Sequence, residues 1–430
     1  MRLAYKLENT PQWKDLKFEV EIRDGEIVFD LEGPASDAYR PVLEMYFGWL
    51  NRRGPIATYK GANVYSLYLP PIPSVAHSRM VEGFLHTFLL REPTPQAVTI
   101  GITNRCQCKC VHCSAGARGT KRATLSGQEI QRIASESISL GVNNVTFTGG
   151  EPLLRNDLEA LISSIDMDKA VVQVFTNGLG LDSQRAASLK AHDVYGVQIS
   201  LDSPNRAEHD RLRGVEGAFR AVERGVKSAL EAGLLVGIST YATRESVLNK
   251  SLSGIAGLAA AWGAHEVSVF DVIPTGEWLR RDDLILDEES RRDLMKEAKR
   301  LNKKYQGRTR VVTQSWTNSG VGFAKSFGCL AGNYQFHVTP YGDFTPCDFT
   351  PLSFGNARNA PIGQLWKTLT KHPAYCRHAD KCRMQSMSFR KQYIHRIPEG
   401  ATLPICINDL VPEEDHGMRP DQSAVSSLEP

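Results

Sequence analysis

Four cysteines fall in one short stretch, Thr103-Asn104-Arg105-Cys106-Gln107-Cys108-Lys109-Cys110-Val111-His112-Cys113. Read as C-x3-C-x2-C, Cys106, Cys110 and Cys113 offer three thiolates on a single loop. Three thiolates bind three irons of a cubane cluster, so the fourth iron is left open to a small molecule. Catalytic metal sites keep such a position open, whereas structural sites close it. The competing chemistry is a zinc knuckle, with Cys108 or His112 completing a set of four. Cys108 also allows a C-x-C-x-C reading; we treat it as a non-ligand. The remaining five cysteines, Cys329, Cys347, Cys376, Cys382 and Cys406, are confined to the C-terminal part. Clustering of this kind points to metal sites, not scattered core thiols.

The elements that must position these residues are legible from about residue 96. Short apolar runs at 97–103, 143–149, 170–176, 196–202, 234–240 and 266–272 read as buried strands, with helical patterns between them. The clearest helix starts at Ser126, with Glu129 completing a capping box. Its apolar face is Ile130, Ile133, Ala134 and Ile138, and Gly141 ends it. Strands alternating with amphipathic helices imply βαβ units and a parallel sheet, either an open (β/α)6 barrel or a doubly wound sheet. The cysteine loop follows the first strand, where parallel α/β folds carry ligand sites. Four regions are expected: an α+β region over 1–95, the α/β core over 96–315, a cysteine-rich extension over 316–410, and a disordered polar tail over 411–430. In the first region, VEIRDGEIVFDL reads as two strands turning at Asp24-Gly25, and a helix ends at Gly54. That region carries no chemical motif, and its expected role is structural support or substrate recognition.

C-x3-C-x2-C after the first strand resembles the signature of the radical S-adenosylmethionine (SAM) superfamily, and further segments agree in order. Gly149-Gly150-Glu151-Pro152 resembles the family's GGEP turn, whose backbone binds the SAM amino group. Phe175-Thr176-Asn177-Gly178 ends the third strand. Ser200-Leu201-Asp202-Ser203 ends the fourth, where the family contacts the SAM ribose and carboxylate. Arg213-Gly214 resembles the pattern that follows, and Ser239 lies on a strand resembling those that touch adenine. His112 occupies the position before the third cysteine. The resemblance implies a partial (β/α)6 barrel, a 4Fe-4S cluster on Cys106, Cys110 and Cys113, and SAM as cofactor. SAM would be cleaved to a 5′-deoxyadenosyl radical, with an electron donor such as flavodoxin or ferredoxin as partner.

CLAGNYQFHVTPYGDFTPC, with a hairpin turn at Tyr-Gly-Asp, resembles the start of a SPASM or twitch extension, which carries auxiliary iron–sulfur clusters. Pro373 and Ser386 stand where two of that pattern's cysteines would be. Two fully ligated clusters need eight thiolates. One auxiliary 4Fe-4S cluster is therefore expected, on Cys329, Cys347, Cys382 and one of Cys376 or Cys406. A zinc site or buried free thiols is the alternative.

No general base is identifiable, and Asp271, Glu277 and His209 read as structural. The expected substrate is a ribosomal peptide or protein side chain. A small molecule is the second reading, because the CVHC form of the loop also resembles enzymes modifying tetrapyrrole side chains. A zinc-binding scaffold without radical chemistry is the third. The 51 basic and 48 acidic residues nearly cancel, which gives no footprint for nucleic acid. The basic run Lys299, Arg300, Lys303, Lys304, Arg308, Arg310 reads as a solvated helix end. No stretch reads as a signal peptide or membrane span, so the expectation is a cytoplasmic protein without a membrane partner.

Overall fold

A computed structural model describes residues 2–5, 16–34, 36–115, 122–314 and 328–410. The chain opens with an antiparallel sheet of β1 (Arg2–Tyr5), β2 (Lys17–Arg23) and β3 (Glu26–Glu32). Asp24 and Gly25 both take positive φ, 52° and 84°, which a two-residue hairpin turn demands. Helix α1 (Ser36–Arg53) packs Leu43, Phe47 and Leu50 against Phe18 of this sheet and ends at Gly54, as the sequence predicts. The small hairpin β4 (Ala57–Tyr59) and β5 (Ala62–Val64) leads to α2 (Val75–Leu89), which Ser74 caps.

The α/β core follows in chain order: β6 (Ala97–Thr103), α3 (Gly127–Ser139), β7 (Asn144–Gly149), α4 (Leu158–Ser163), β8 (Val171–Thr176), α5 (Ser183–Ala191), β9 (Gly196–Ser200), α6 (Arg206–Arg213), α7 (Ala218–Glu231), β10 (Leu235–Ala242), α8 (Arg244–Leu248), α9 (Ser251–Trp262), β11 (Glu266–Asp271), α10 (Glu288–Lys304) and β12 (Arg310–Gln314). Strands β6 to β12 pair in that sequence, all parallel. A doubly wound sheet would reverse its order part-way. The unbroken order selects the open barrel. The capping box of Ser126 and Glu129 is present.

One strand more than the sequence suggests is present. β12 is a five-residue run, RVVTQ, directly after the basic segment that hides it. Its first residue corrects the reading of that segment: Arg310 is not a solvated helix end but donates to Tyr65 O, Arg53 O and Gly54 O. The guanidinium has the N–H groups to serve all three carbonyls.

Strand residues alternate between two surroundings. Val145, Phe147, Val172, Val174, Val197, Ile199, Val236, Ile238, Val267 and Val269 join the helices in one apolar core. The opposite face of the same strands carries Thr146, Gln173, Gln198, Ser239 and Ser268 into the barrel interior. The N-terminal region closes the lower end: Leu67 packs with Val171, Tyr195 and Leu235 at the starts of β8, β9 and β10. Gln173 Nε2 donates to Leu67 O (2.7 Å), and the Tyr195 hydroxyl to Leu69 O (3.0 Å).

The C-terminal part begins with a hairpin, β13 (Gln335–Val338) and β14 (Phe344–Thr345). β13 also pairs in parallel with β6, so this hairpin extends the barrel sheet. β15 (Leu352–Ser353), α11 (Ile362–Lys371), α12 (Met387–Gln392) and β16 (Ile405–Cys406) complete it. Arg390 is fully buried and ties this part to the loop after β11, pairing with Asp282 at 2.6 Å and donating to Pro274 O and Leu279 O. The expected disordered tail at 411–430 lies outside the described residues. No helix among them is long and apolar enough to cross a membrane.

Candidate active site

The cysteine loop leaves the end of β6 and is gripped by backbone on three sides. Gly150 N–H donates to Thr103 O (2.7 Å) and Glu151 N–H to Arg105 O (2.8 Å). Gly149 has φ +133°, and a Cβ on Gly149 or Gly150 would lie 2.2 Å from Thr103 O or Arg105 O. Both glycines are thus required by the approach of the loop itself. The Gly150 and Glu151 N–H groups are spent on the loop, which leaves carbonyls as the groups an ammonium would meet. On a second side, Lys109 N–H and Val111 N–H donate to Arg213 O (2.9 Å) and Leu212 O (3.1 Å) at the end of α6. Third, Glu277 N–H donates to Cys113 O (3.1 Å), where a Cβ on Gly276 would stand 2.0 Å away.

Two thiols of this loop, Cys106 and Cys110, are poised toward thiolate. The Cys108 thiol hydrogen-bonds Cys106 and Cys110, drawing them down to about 6 and about 7, while Cys108 itself is pushed up. Asn177 Nδ2 stands 3.8 Å from Cys106 Sγ, and Arg213 Nη1 stands 3.7 Å from Cys110 Sγ. Iron binds the thiolate form, so Cys106 and Cys110 fit a cluster. Cys108 is buried beside two of the three expected ligands, and its proximity alone does not set it apart from them.

Asp202 organises the neighbouring wall. Burial drives its carboxyl upward, but Arg213, His112 and His209 together outweigh this and hold it below the usual range. Arg213 meets both oxygens, at 2.8 and 2.7 Å, and His112 Nε2 lies 3.4 Å from Oδ2. Burial lowers His112 to about 4, so the ring is neutral; its Nδ1 is buried without a hydrogen-bond partner. Tyr241 and Trp278 pack around that ring at 4.4 and 5.7 Å between centroids. A neutral imidazole edged by aromatic rings, next to a fixed carboxylate–guanidinium pair, suits a planar base and a charged amino-acid end.

The other expected cofactor residues also collect here. Glu151 is buried, which lifts its carboxyl to about 7, and it accepts from Asn177 N–H, Thr176 Oγ1 and Leu153 N–H. It therefore stitches the β7 turn to the end of β8, and Pro152 starts a short 3-10 turn after it. Ser200 and Ser239 face each other in register across β9 and β10.

The second cysteine set converges in part. Cys329, Cys347 and Cys382 are all buried: burial, then Cys329, pushes Cys347 up to about 12, and Cys382 is raised by burial, then by both others. A cation among three such thiols would invert that balance, so this donor set fits a cluster as well. Cys406 is half-buried on β16, whereas Cys376 is exposed, with its thiol 3.8 Å from Pro373 O.

His209 Nδ1 accepts from Asp202 N–H (3.1 Å), and Asp271 takes Arg291 (3.2 Å) and Gln385 (2.8 Å). These residues hold others in place, as expected of them. Tyr241, Trp278 and Gly276 escaped the sequence reading. Their part is set by where the strands end in space, and a single aromatic or glycine announces nothing of that.

Comparison with known proteins gives consistent matches. Residues 100–243 match the family model of the radical SAM superfamily, and residues 329–391 that of the SPASM iron–sulfur cluster-binding domain. The chain is 28% identical to an AdoMet-dependent heme synthase of Nitratidesulfovibrio vulgaris over 64% of this chain and 79% of the relative. It is also 28% identical to the mycofactocin maturase MftC of Mycolicibacterium smegmatis, over 78% and 86%. Among solved structures, Streptococcus suis SuiB bound to its precursor peptide SuiA superposes with a TM-score of 0.55 at 17% identity, over 81% of this chain and 86% of that one.

Proposed function

Because the chain belongs to the radical SAM superfamily and carries a SPASM-type iron–sulfur domain, we propose that it is an enzyme modifying a side chain of a ribosomal peptide or protein. The observation that carries the reading is the three-sided grip on the Cys106–Cys113 loop beside the Asp202–Arg213–His112 wall. It fixes three thiols at the barrel mouth while leaving a neutral, aromatic-lined surface for an adenine. Cys106, Cys110 and Cys113 would hold a 4Fe-4S cluster. When bound, that cluster supplies the electron that splits SAM into methionine and a 5′-deoxyadenosyl radical, as the family resemblance implies. Gly149 and Gly150 carbonyls would take the SAM amine, Arg213 its carboxylate, Ser200 the ribose and Ser239 the adenine edge. Cys329, Cys347, Cys382 and Cys406 would hold one auxiliary cluster, Cys406 being preferred to the exposed Cys376. A small reductant protein of the flavodoxin or ferredoxin kind would supply electrons, in a reducing cytoplasm.

Similarity to a peptide maturase along most of the chain supports a peptide substrate. Similarity to a heme synthase over a shorter span supports a tetrapyrrole as the second reading. The deciding experiment incubates anaerobically reconstituted enzyme with SAM and dithionite, separately with a cellular peptide fraction and with an iron porphyrin. A SAM-dependent mass change confined to the peptide fraction is expected. A change confined to the porphyrin side chains would replace this reading with the second.

A further inference from the structure

Two buried hydroxyls stand beside the second cysteine set, and packing accounts for neither. Thr350 Oγ1 lies 3.2 Å from Cys347 Sγ in the interior. The turn that carries it is closed by other groups, since Thr350 N–H and Thr345 Oγ1 both donate to Cys347 O, each at 3.2 Å. The turn therefore does not depend on the Thr350 hydroxyl. The second hydroxyl belongs to Tyr375, which neighbours Thr350, Cys347 and Cys329.

The Tyr375 ring is held on several sides. Phe354 and Phe389 meet it edge-on, at 5.4 and 6.0 Å between centroids, and the Arg383 guanidinium lies 4.7 Å over its face. A Cβ on Gly332 would come within 3.0 Å of the ring. A phenylalanine would make all of these contacts equally well. The hydroxyl has no well-aligned partner, which costs stability in the interior, and Thr350 is a side chain within its hydrogen-bonding reach.

Proton counting orders the two hydroxyls. A sulfur that holds iron is a thiolate, which accepts hydrogen bonds and donates none. Thr350 then spends its single proton on Cys347 Sγ, and its oxygen accepts from Tyr375. Hydrogen bonds in such a chain polarise one another. Those that reach a cluster sulfur favour the reduced, more negative form and so move the reduction potential. We propose that Tyr375 and Thr350 form a hydrogen-bond relay onto Cys347 that raises the reduction potential of the auxiliary cluster. Thr350 touches the ligand, and Tyr375 is a positioning residue behind it. The inference rests on the placing of that cluster on Cys329, Cys347, Cys382 and Cys406 proposed above.

The test uses the reconstituted chain carrying Cys106→Ala, Cys110→Ala and Cys113→Ala, so that the remaining cubane signal belongs to the auxiliary site. Its midpoint potential is read by a redox titration followed by electron paramagnetic resonance. Thr350→Val keeps the shape and removes the hydroxyl. It is expected to lower the reduced-to-oxidised ratio at fixed potential about tenfold, which is about 59 mV for one electron. Tyr375→Phe should lower the ratio about threefold, and Thr350→Ser should leave it unchanged, with the parent's iron and sulfide per chain in all three. An unchanged potential in Thr350→Val or Tyr375→Phe, or an equal fall in Thr350→Ser, overturns the relay. Should Thr350→Val lose its iron, Tyr375→Phe still decides. Absence of any cubane signal in the parent overturns the placing of the cluster itself, and the relay with it.

Discussion

Asp202 is buried and ionised because Arg213 meets it with two nitrogens. Asp202→Asn would strand the Arg213 charge in the interior, a change that costs about 3–5 kcal/mol. Chemical denaturation should register that loss, and SAM affinity should fall with it. Among the cysteines, Cys106→Ala, Cys110→Ala and Cys113→Ala are each expected to end 5′-deoxyadenosine formation, while Cys108→Ala retains most of it. Chromatography of the nucleoside product decides the matter, and a dead Cys108→Ala would move that thiol into the ligand set. The cysteines and the GGEP turn were legible in the sequence because metal chemistry and close backbone approach admit few residue types. His209 was not legible as the holder of Asp202. Its ring serves the N–H of a residue on the preceding strand end, and any polar side chain in that place would look the same on paper.

At the scale of elements, the cluster loop is shaped by turns from β7, α6 and the segment after β11, none of which contributes a thiol. Gly150→Ala and Gly276→Ala each place a Cβ within about 2 Å of a loop carbonyl, at 2.2 and 2.0 Å. Both should retain the overall fold, lose stability by about 1–3 kcal/mol, and bind less iron per chain after reconstitution. Colorimetric iron and sulfide assays would check this, and full iron loading in both variants would mean the loop tolerates displacement. Six of the barrel strands announced themselves as apolar runs between amphipathic helices. β12 did not, since it is short and its first residue continues a basic run. The three carbonyls that accept from Arg310 explain why that charge turns inward.

For the molecule as a whole, Glu266 marks the junction between the N-terminal region and the barrel floor. Burial lifts its carboxyl from 4.5 to about 7, with Arg310 and Arg53 opposing the rise. Such a group takes up a proton on folding, so its share of stability is present below about 4.5 and is lost as pH climbs to about 7. The full shift corresponds to roughly 3 kcal/mol. Glu266→Gln should therefore match the wild type at pH 5 and exceed it at pH 8 in urea midpoint. Equal midpoints at both pH values would show that the carboxyl is not protonated on folding.

The pairing of β13 with β6 has a practical consequence. Cutting the chain before residue 328 would remove more than an accessory lobe. It would strip one side of the strand that runs into the Cys106 loop, baring a row of unsatisfied amides and carbonyls from Ala97 to Ile100. Bare rows of that kind recruit other chains. A shortened protein is therefore expected to self-associate and to lose its first cluster along with the second.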